Sequence, residues 1–379
     1  MIDAVAAFGA LAGLAASAYL VVALWHVARW RPAVPPAASP DPVPVTILKP
    51  VCGAEPRLYD CLRSFCALAR PDTQLVFGVA DPADAAVPVV RRLMAEFPGR
   101  DLALVVDPAT HGPNRKVGNL VNMMAQARYD LIVVSDSDSF ITDSGLASLL
   151  APFADPDVGA ATCLYRSAPD AHPASLMGAM FIDSWFLPAA IVNAGLRPVV
   201  YCFGPLLAVR RSVLDEIGGF RALRNHLADD FMLGTLVVRA GHRVALAGHV
   251  AETVVAETWH TLVAHELRWA RTARALYGSE HLLSVVTCAT PLAWLALFGP
   301  AWLAAAAIGV PTALRLALHA LVRRRAGIAT RAPYWLLPVR ELLYLAIWTA
   351  SLFGSAVEWR GQSFTVAPDG VLVPKGSRA

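Results

Sequence analysis

Three hydrophobic patterns follow one another along the 379-residue chain. The first is a nearly unbroken apolar run over residues 5–27, long enough to cross a hydrocarbon layer of ~30 Å as a helix. Asp3 is the only early charge and no basic segment precedes the run, so it reads as an anchor and not as a cleaved signal. Arg29 and Arg31 follow it, with Trp25 and Trp30 at interface depth, which places the N-terminus outside and the following chain in the cytoplasm. The second pattern fills residues 45–282, where short apolar runs alternate with amphipathic ones. Residues 45–48, 75–79, 102–106 and 131–135 read as strands; residues 57–68, 87–97 and 117–127 read as helices. Apolar runs of this length between helices predict buried, mainly parallel strands, hence an α/β sheet with helices on both faces. The third pattern is apolar again. Residues 283–308 can span once, 311–322 are shorter and carry Arg315 and His319, and 334–357 read as a further span interrupted by Arg340 and Glu341. Arg323, Arg324 and Arg325 are expected on the cytoplasmic side. Two or three spans fit, and their parity stays open, because a single last crossing puts Trp359, Arg360 and Gly361 outside. The organisation read from the pattern is an anchor (1–31), a stiff Pro-rich linker (32–44), a cytoplasmic α/β domain (45–282), a membrane region (283–357) and a tail (358–379).

Composition agrees with membrane segments. Charged residues make up 16% and hydrophobic ones 56%, where a soluble chain carries roughly 25% charged residues. A net charge of +3 is too mild to argue for nucleic acid as a partner. The six cysteines form no C-x-x-C pair and no zinc spacing, so they read as small buried residues in a reducing compartment. Only Lys49, Lys116 and Lys375 are lysines among 32 basic residues, so each is more informative than usual.

Ligands of open α/β sheets bind beyond the carboxyl ends of the strands, and acids gather there. The second strand runs into Asp81 and Asp84, the fourth into Ser135-Asp136-Ser137-Asp138-Ser139. Side chains two apart on an extended segment share a face, so Asp136 and Asp138 are expected to face one cation. Their oxygens suit Mg²⁺ or Mn²⁺ held against a diphosphate. A solvated turn is the plainer meaning of an isolated D-x-D; its place directly after an apolar strand weighs against that. In the segment from His111 to Leu120, Gly112 and Pro113 break the chain before a helix expected from about Val117. A helix start attracts anions, and Lys116 adds a charge, so Asn114, Lys116 and Asn119 are candidates for a nucleotide or diphosphate. Asp229 and Asp230 precede an apolar helix: one reads as a cap, the other as a general base. His265-Glu266 is no zinc-protease start, because Trp269 stands where the second His is required. On a helix His265, Arg268 and Arg271 share a face that meets either one bound anion or anionic lipid. Residues 173–200, with Trp185 and Phe186, read either as a membrane-surface guide for a lipid or as core helices. No G-x-G-x-x-G follows the first strand and no P-loop occurs.

The order Asp84, Asp136, Asp230, then His265-x-x-Arg268-Trp269 resembles the D, D, D, (Q/R)-x-x-R-W pattern of processive-type and ceramide-type glycosyltransferases. Leu48-Lys-Pro-Val-Cys-Gly53, Asn114-x-Lys-x-x-Asn-Leu120, Asp229-Asp230-Phe-Met232 and the segment from Gly204-Pro to Gly-Gly-Phe220 are similar to the ceramide glucosyltransferase family, glycosyltransferase family 21. Within it the chain looks most like the bacterial branch associated with hopanoid biosynthesis. The resemblance covers residues 1 to about 360. His265 departs from it, standing where Gln or Arg is usual.

The resemblance implies a GT-A fold, a UDP-sugar donor, a lipid hydroxyl acceptor and inversion at the anomeric carbon. It implies that Asp81 and Asp84 contact uridine or ribose, and that Asn114, Lys116 and Asn119 support the nucleotide. Asp136, assisted by Asp138, then meets the Mg²⁺ or Mn²⁺ and the diphosphate, Asp230 is the base, and Arg268 and Trp269, with His265 beside them, close over the diphosphate. The acceptor expected is a hopanoid, with N-acetylglucosamine as a candidate sugar; ceramide is the alternative acceptor. Other lipid-biosynthesis enzymes are candidate partners, and the location implied is a bacterial inner membrane. The competing reading of another class is a non-catalytic membrane scaffold with a degenerate transferase domain.

Overall fold

The computed structural model describes residues 2–32, 43–359 and 362–374. Most of the Pro-rich linker, together with Arg360 and Gly361, lies outside the described residues. The chain divides into two compact units: Pro32–Tyr165 with Pro198–Val254, and Met1–Arg31 with Arg166–Arg197 and Val255–Ala379. This division differs from the linear one, because segments 166–197 and 255–282 group with the terminal helices and not with the sheet domain.

The first unit is built on strands β1 (Val45–Pro50), β2 (Thr73–Val79), β3 (Asp101–Val106), β4 (Leu131–Val134), β5 (Ser139–Phe140), β6 (Val158–Pro169), β7 (Leu207–Arg210) and β8 (Arg243–Val255). They form one sheet in the order β3-β2-β1-β4-β7-β6-β8-β5. β1, β2, β3 and β4 are parallel, each connected through a helix, as their continuous apolar runs predict. β7 runs antiparallel to β4 and β6, and β5 antiparallel to β8, so the sheet is mixed and its second half departs from the parallel expectation. Every residue of β1 and β4 is buried. Helices Arg115–Met123, Arg211–Glu216 and Asp229–Arg239 cover one face, where Leu48, Val76, Leu120, Ile132, Leu214 and Leu233 form a single cluster. Each such side chain removed from water contributes about 1.5–3 kcal/mol.

The second unit is mainly helical. Ile2–Arg29, Pro173–Leu196 and Ala301–Ala326 are long and apolar enough to cross a membrane. Ile2–Arg29 buries Ala6, Gly9, Gly13 and Ala16 along one side, a small-residue stripe that permits close helix packing. Pro173–Leu196 is mostly buried and carries a π-turn at Ile182–Phe186, so it is a packed helix of this unit. The expected single span over 283–308 is instead broken: Ser279–Cys288 and Thr290–Phe298 meet at a bend of 66°. Pro311 lies inside the helix Ala301–Ala326, so 311–322 is no separate segment. The last apolar run forms a helix of only 16 residues, Leu336–Ser351. A small antiparallel sheet of Ala356–Trp359, Gln362–Val366 and Leu372–Pro374 follows it, which the hydrophobic pattern did not predict.

Candidate active site

The carboxyl ends of the parallel strands carry the acids, as the topology requires. After β4 the chain reaches Asp136 and then turns at Ser137 and Asp138. The two carboxylates therefore do not sit on one extended segment, and the strand alternation expected to turn them to one face is absent. What fixes the loop is Lys49, at the end of β1 and fully buried. Its ammonium is bonded to the Asp136 carbonyl, lies 3.2 Å from Ser135 Oγ and stacks 3.8 Å from the centre of the Phe65 ring. Burial pulls Lys49 down to about 8. Ser135 Oγ donates onward to the Pro205 carbonyl at 2.9 Å. One buried chain of contacts thus ties β1, the Asp136 loop and the segment entering β7.

That segment contains Gly204, whose missing side chain defines the site. A Cβ placed there would lie 3.1 Å from Asp136 Oδ2 and 3.3 Å from Asp230 Oδ2. The two carboxylates therefore border one methyl-sized space. Asp230 is delivered by the first turn of Asp229–Arg239, where its Oδ1 accepts the Phe231 N–H at 2.8 Å. The helix comes close because Gly234 has no side chain: a Cβ would fall 2.4 Å from Tyr201 Cα. Burial, with Asp229 close by, pushes Asp230 up to about 6, the behaviour of a carboxylate suited to accepting a proton.

Asp229 is spent on structure. Lys116 Nζ lies 3.2 Å from Asp229 Oδ2 and 2.8 Å from Asp136 Oδ1, bridging the two acids. Burial alone would lower the Lys116 ammonium; Asp136, Asp229 and Asp230 more than offset it and hold it above its ordinary range. Asn114 is fully buried and caps the helix Arg115–Met123 by accepting the Val117 N–H at 3.0 Å. Its Nδ2 donates to the His226 carbonyl at 2.8 Å and to Asp229 Oδ1 at 3.3 Å. Asn119 is buried and donates to the Gly78 carbonyl at 2.7 Å, fastening that helix to β2. Both asparagines point inward, so whatever support they give a nucleotide passes through the elements they fix.

Asp84 accepts the Gly53 N–H on both oxygens, at 2.8 and 3.0 Å, and the Ala86 N–H at 2.8 Å, shaping the loop after β1 and starting the helix Ala86–Glu96. Asp81 is exposed at the rim and folds its carboxylate onto Ala83 N–H at 2.8 Å. Glu55, absent from the sequence-based candidates, accepts a hydrogen bond from Ser137 Oγ. Burial, Asp136 and Glu55 together push Asp138 up to about 7. A hard cation relieves such a concentration of carboxylate charge, and an all-oxygen donor set is what Mg²⁺ or Mn²⁺ takes. The residues present fit that group; no cluster of three or more acidic, His or Cys ligands is preassembled among the described residues.

His265, Arg268 and Trp269 lie in the other unit, on the helix Trp259–Tyr277, which starts with a capping box at Thr258. His265 Nδ1 is 2.8 Å from Glu257 Oε1, and its ring meets Trp269 edge-on at 4.2 Å. Glu266 on the same helix faces inward and accepts two 2.6 Å hydrogen bonds from Arg340, a fully buried guanidinium that also donates to the Met177 carbonyl at 2.8 Å.

A half-parallel, half-antiparallel sheet with acids bracketing one space beyond its central strands defines a glycosyltransferase of the GT-A type. A mannosyltransferase from Pyrobaculum calidifontis, solved with GDP-mannose and Mn²⁺, shares this fold at a TM-score of 0.56 and 21% identity, over 93% of this chain and 99% of its own. Among models of protein families, Glycosyl transferase family 21 matches residues 8–372, and the chain belongs to that family. Curated relatives include ceramide glucosyltransferase 3 of Caenorhabditis elegans, 25% identical over 87% of this chain and 74% of its own length. A ceramide glucosyltransferase of Pyricularia oryzae is 24% identical over 98% of this chain and 95% of its own.

Proposed function

We propose that this glycosyltransferase moves a sugar from a UDP-sugar to a hydroxyl of a membrane lipid, with inversion at the anomeric carbon. The observation that carries the reading is the shared space at Gly204, faced by Asp136 Oδ2 and Asp230 Oδ2. Inversion requires a base on the side of the sugar opposite the leaving group, within reach of the attacking hydroxyl. Asp230 fills that role: the acceptor oxygen bonds to the anomeric carbon, the bond to the diphosphate oxygen breaks, UDP departs and the hydroxyl proton passes to Asp230. Asp136, with Asp138 beside it, would hold a Mg²⁺ or Mn²⁺ ion, which when bound neutralises charge on the leaving diphosphate. Lys116 keeps Asp136 aimed by bridging it to Asp229. Asp81 and Asp84 belong to the nucleoside side of the rim. Arg268 and Trp269, with His265, are assigned to the diphosphate by the sequence resemblance.

Two lipid classes fit the acceptor. The names of the relatives favour ceramide; the resemblance to a bacterial branch of the family, read from the sequence, suggests a hopanoid, with N-acetylglucosamine as one candidate sugar. The long apolar helices support a multi-pass membrane enzyme; its place in a bacterial inner membrane rests on the sequence resemblance, and a cytoplasmic catalytic unit on Arg29 and Arg31 following the first apolar run. The test is single-turnover transfer by Asp230→Asn under saturating UDP-sugar. Transfer is expected to fall by about 10²–10⁴-fold while the donor still binds. A rate near wild type removes Asp230 as the base, and absence of UDP release by wild-type protein in lipid membranes favours the scaffold reading. Lipid mass spectrometry with and without the gene then decides between ceramide and hopanoid.

A further inference from the structure

The helical unit contains a cavity of about 420 Å³ lined by none of the residues assigned to the transfer step. Its walls come from Thr290, Trp294, Leu297, Leu316, Arg315 and Glu341, among others. Three independent features mark it as a built site. It lies where the expected span is broken, beside the 66° bend between Ser279–Cys288 and Thr290–Phe298. Interrupted helices at membrane depth persist where they are buried in protein or line a cavity. It holds charge: Arg315 and Glu341 are buried and 3.3 Å apart. Ionisable residues in such segments are rare and mark places where polar matter binds or passes. Finally, Thr290 Oγ1 and Arg315 Nε are buried without a hydrogen-bond partner among the described residues. Each such group is costly unless something supplies a bond.

We propose that this cavity seats the acceptor lipid: an uncharged lipid whose hydroxyl or amide groups reach Thr290 and Arg315 while its chains lie against Trp294, Leu297 and Leu316. Arg315 and Glu341 neutralise each other, so an anionic phosphate gains no net attraction there, whereas a neutral group offering both donors and acceptors satisfies both. Trp294 and Leu297 are exposed apolar side chains on the cavity wall, which gives hydrocarbon chains a way in from the bilayer. Calling the lipid the acceptor rests on the transfer reading above; its uncharged chemistry does not.

The experiment uses the full chain in nanodiscs with a diazirine-bearing ceramide as probe. Irradiation is expected to label residues 290–297, with labelling competed by unlabelled ceramide and not by phosphatidylglycerol. Equal competition by phosphatidylglycerol, or labelling confined elsewhere, overturns the proposal. In a second arm Thr290→Val, which keeps the shape and removes the hydroxyl, is expected to raise KM for the lipid about two- to tenfold. KM for the UDP-sugar should stay unchanged, which also shows that the variant is folded. An unchanged lipid KM overturns the seat as the acceptor's. Failure of the transfer reading shows differently, as wild-type protein that is labelled in the cavity yet releases no UDP.

Discussion

Gly204→Ala tests the central geometry with one methyl group. The φ of Gly204 lies outside the left-handed region, so Ala introduces no backbone strain there. The added carbon would stand 3.1 Å from Asp136 Oδ2 and 3.3 Å from Asp230 Oδ2, against ordinary contact from 3.4 Å. The shortfall is a few tenths of an ångström, and half-buried Asp136 can yield that much. Folding stability should therefore change by no more than about 1 kcal/mol, a shift of about 2–4 °C in Tm. Catalysis has no such tolerance. The methyl occupies the space that the reacting groups must share, and misplacement on the order of 1 Å costs about 10²-fold. Single-turnover transfer should fall at least that far, roughly 2.7 kcal/mol of barrier. Gly99→Ala is the control, since a Cβ there meets nothing within 4 Å. Transfer by Gly204→Ala within twofold of wild type, with Tm preserved, would refute the claim that Asp136 and Asp230 serve one reaction.

Three further outcomes are expected. Because Asp230 is raised to about 6 and must be ionised to act, kcat/KM should fall about tenfold per pH unit below about 6, and the limb should vanish in whatever activity Asp230→Asn retains. For stability the sign is opposite: the contribution of this group is fullest at low pH, where the buried acid is neutral, and is lost as pH rises through about 6. Lys116→Met leaves Asp136 and Asp229 without their shared counter-charge; chemical denaturation should show a loss of about 3 kcal/mol, and an unchanged midpoint would mean that the bridge is idle. Chelating divalent cations should abolish transfer, with Mn²⁺ or Mg²⁺ restoring it; full activity in excess chelator would remove Asp136 and Asp138 as cation ligands.

The parallel half of the sheet was legible because apolar runs such as 45–48 and 131–135 are both short and uninterrupted, which suits strands buried on two faces. The antiparallel half was not, since the pairing partner of β7 depends on contacts far apart in sequence. The acids were legible by position, after strands, but their division of labour was not. Asp229 and Asp230 are chemically identical neighbours, and only Lys116 and Asn114, more than a hundred residues away, decide which one is committed to structure. Gly204 stood out only as the first residue of a segment resembling the family, with nothing in the sequence to show that its missing side chain matters, and Glu55 sits in no pattern. The broken span at Cys288 was hidden because Thr290 and Pro291 interrupt the apolar run without adding charge.

The Arg340–Glu266 fork also constrains how the protein is made. Arg340 emerges from the ribosome long after Glu266, on a helix of 16 residues that is short for an independent crossing. Neither charge has a suitable home until the other arrives. The last helix therefore completes its docking against a partner already in place, and a chain cut off before Leu336 would leave the Glu266 carboxylate without its counter-charge.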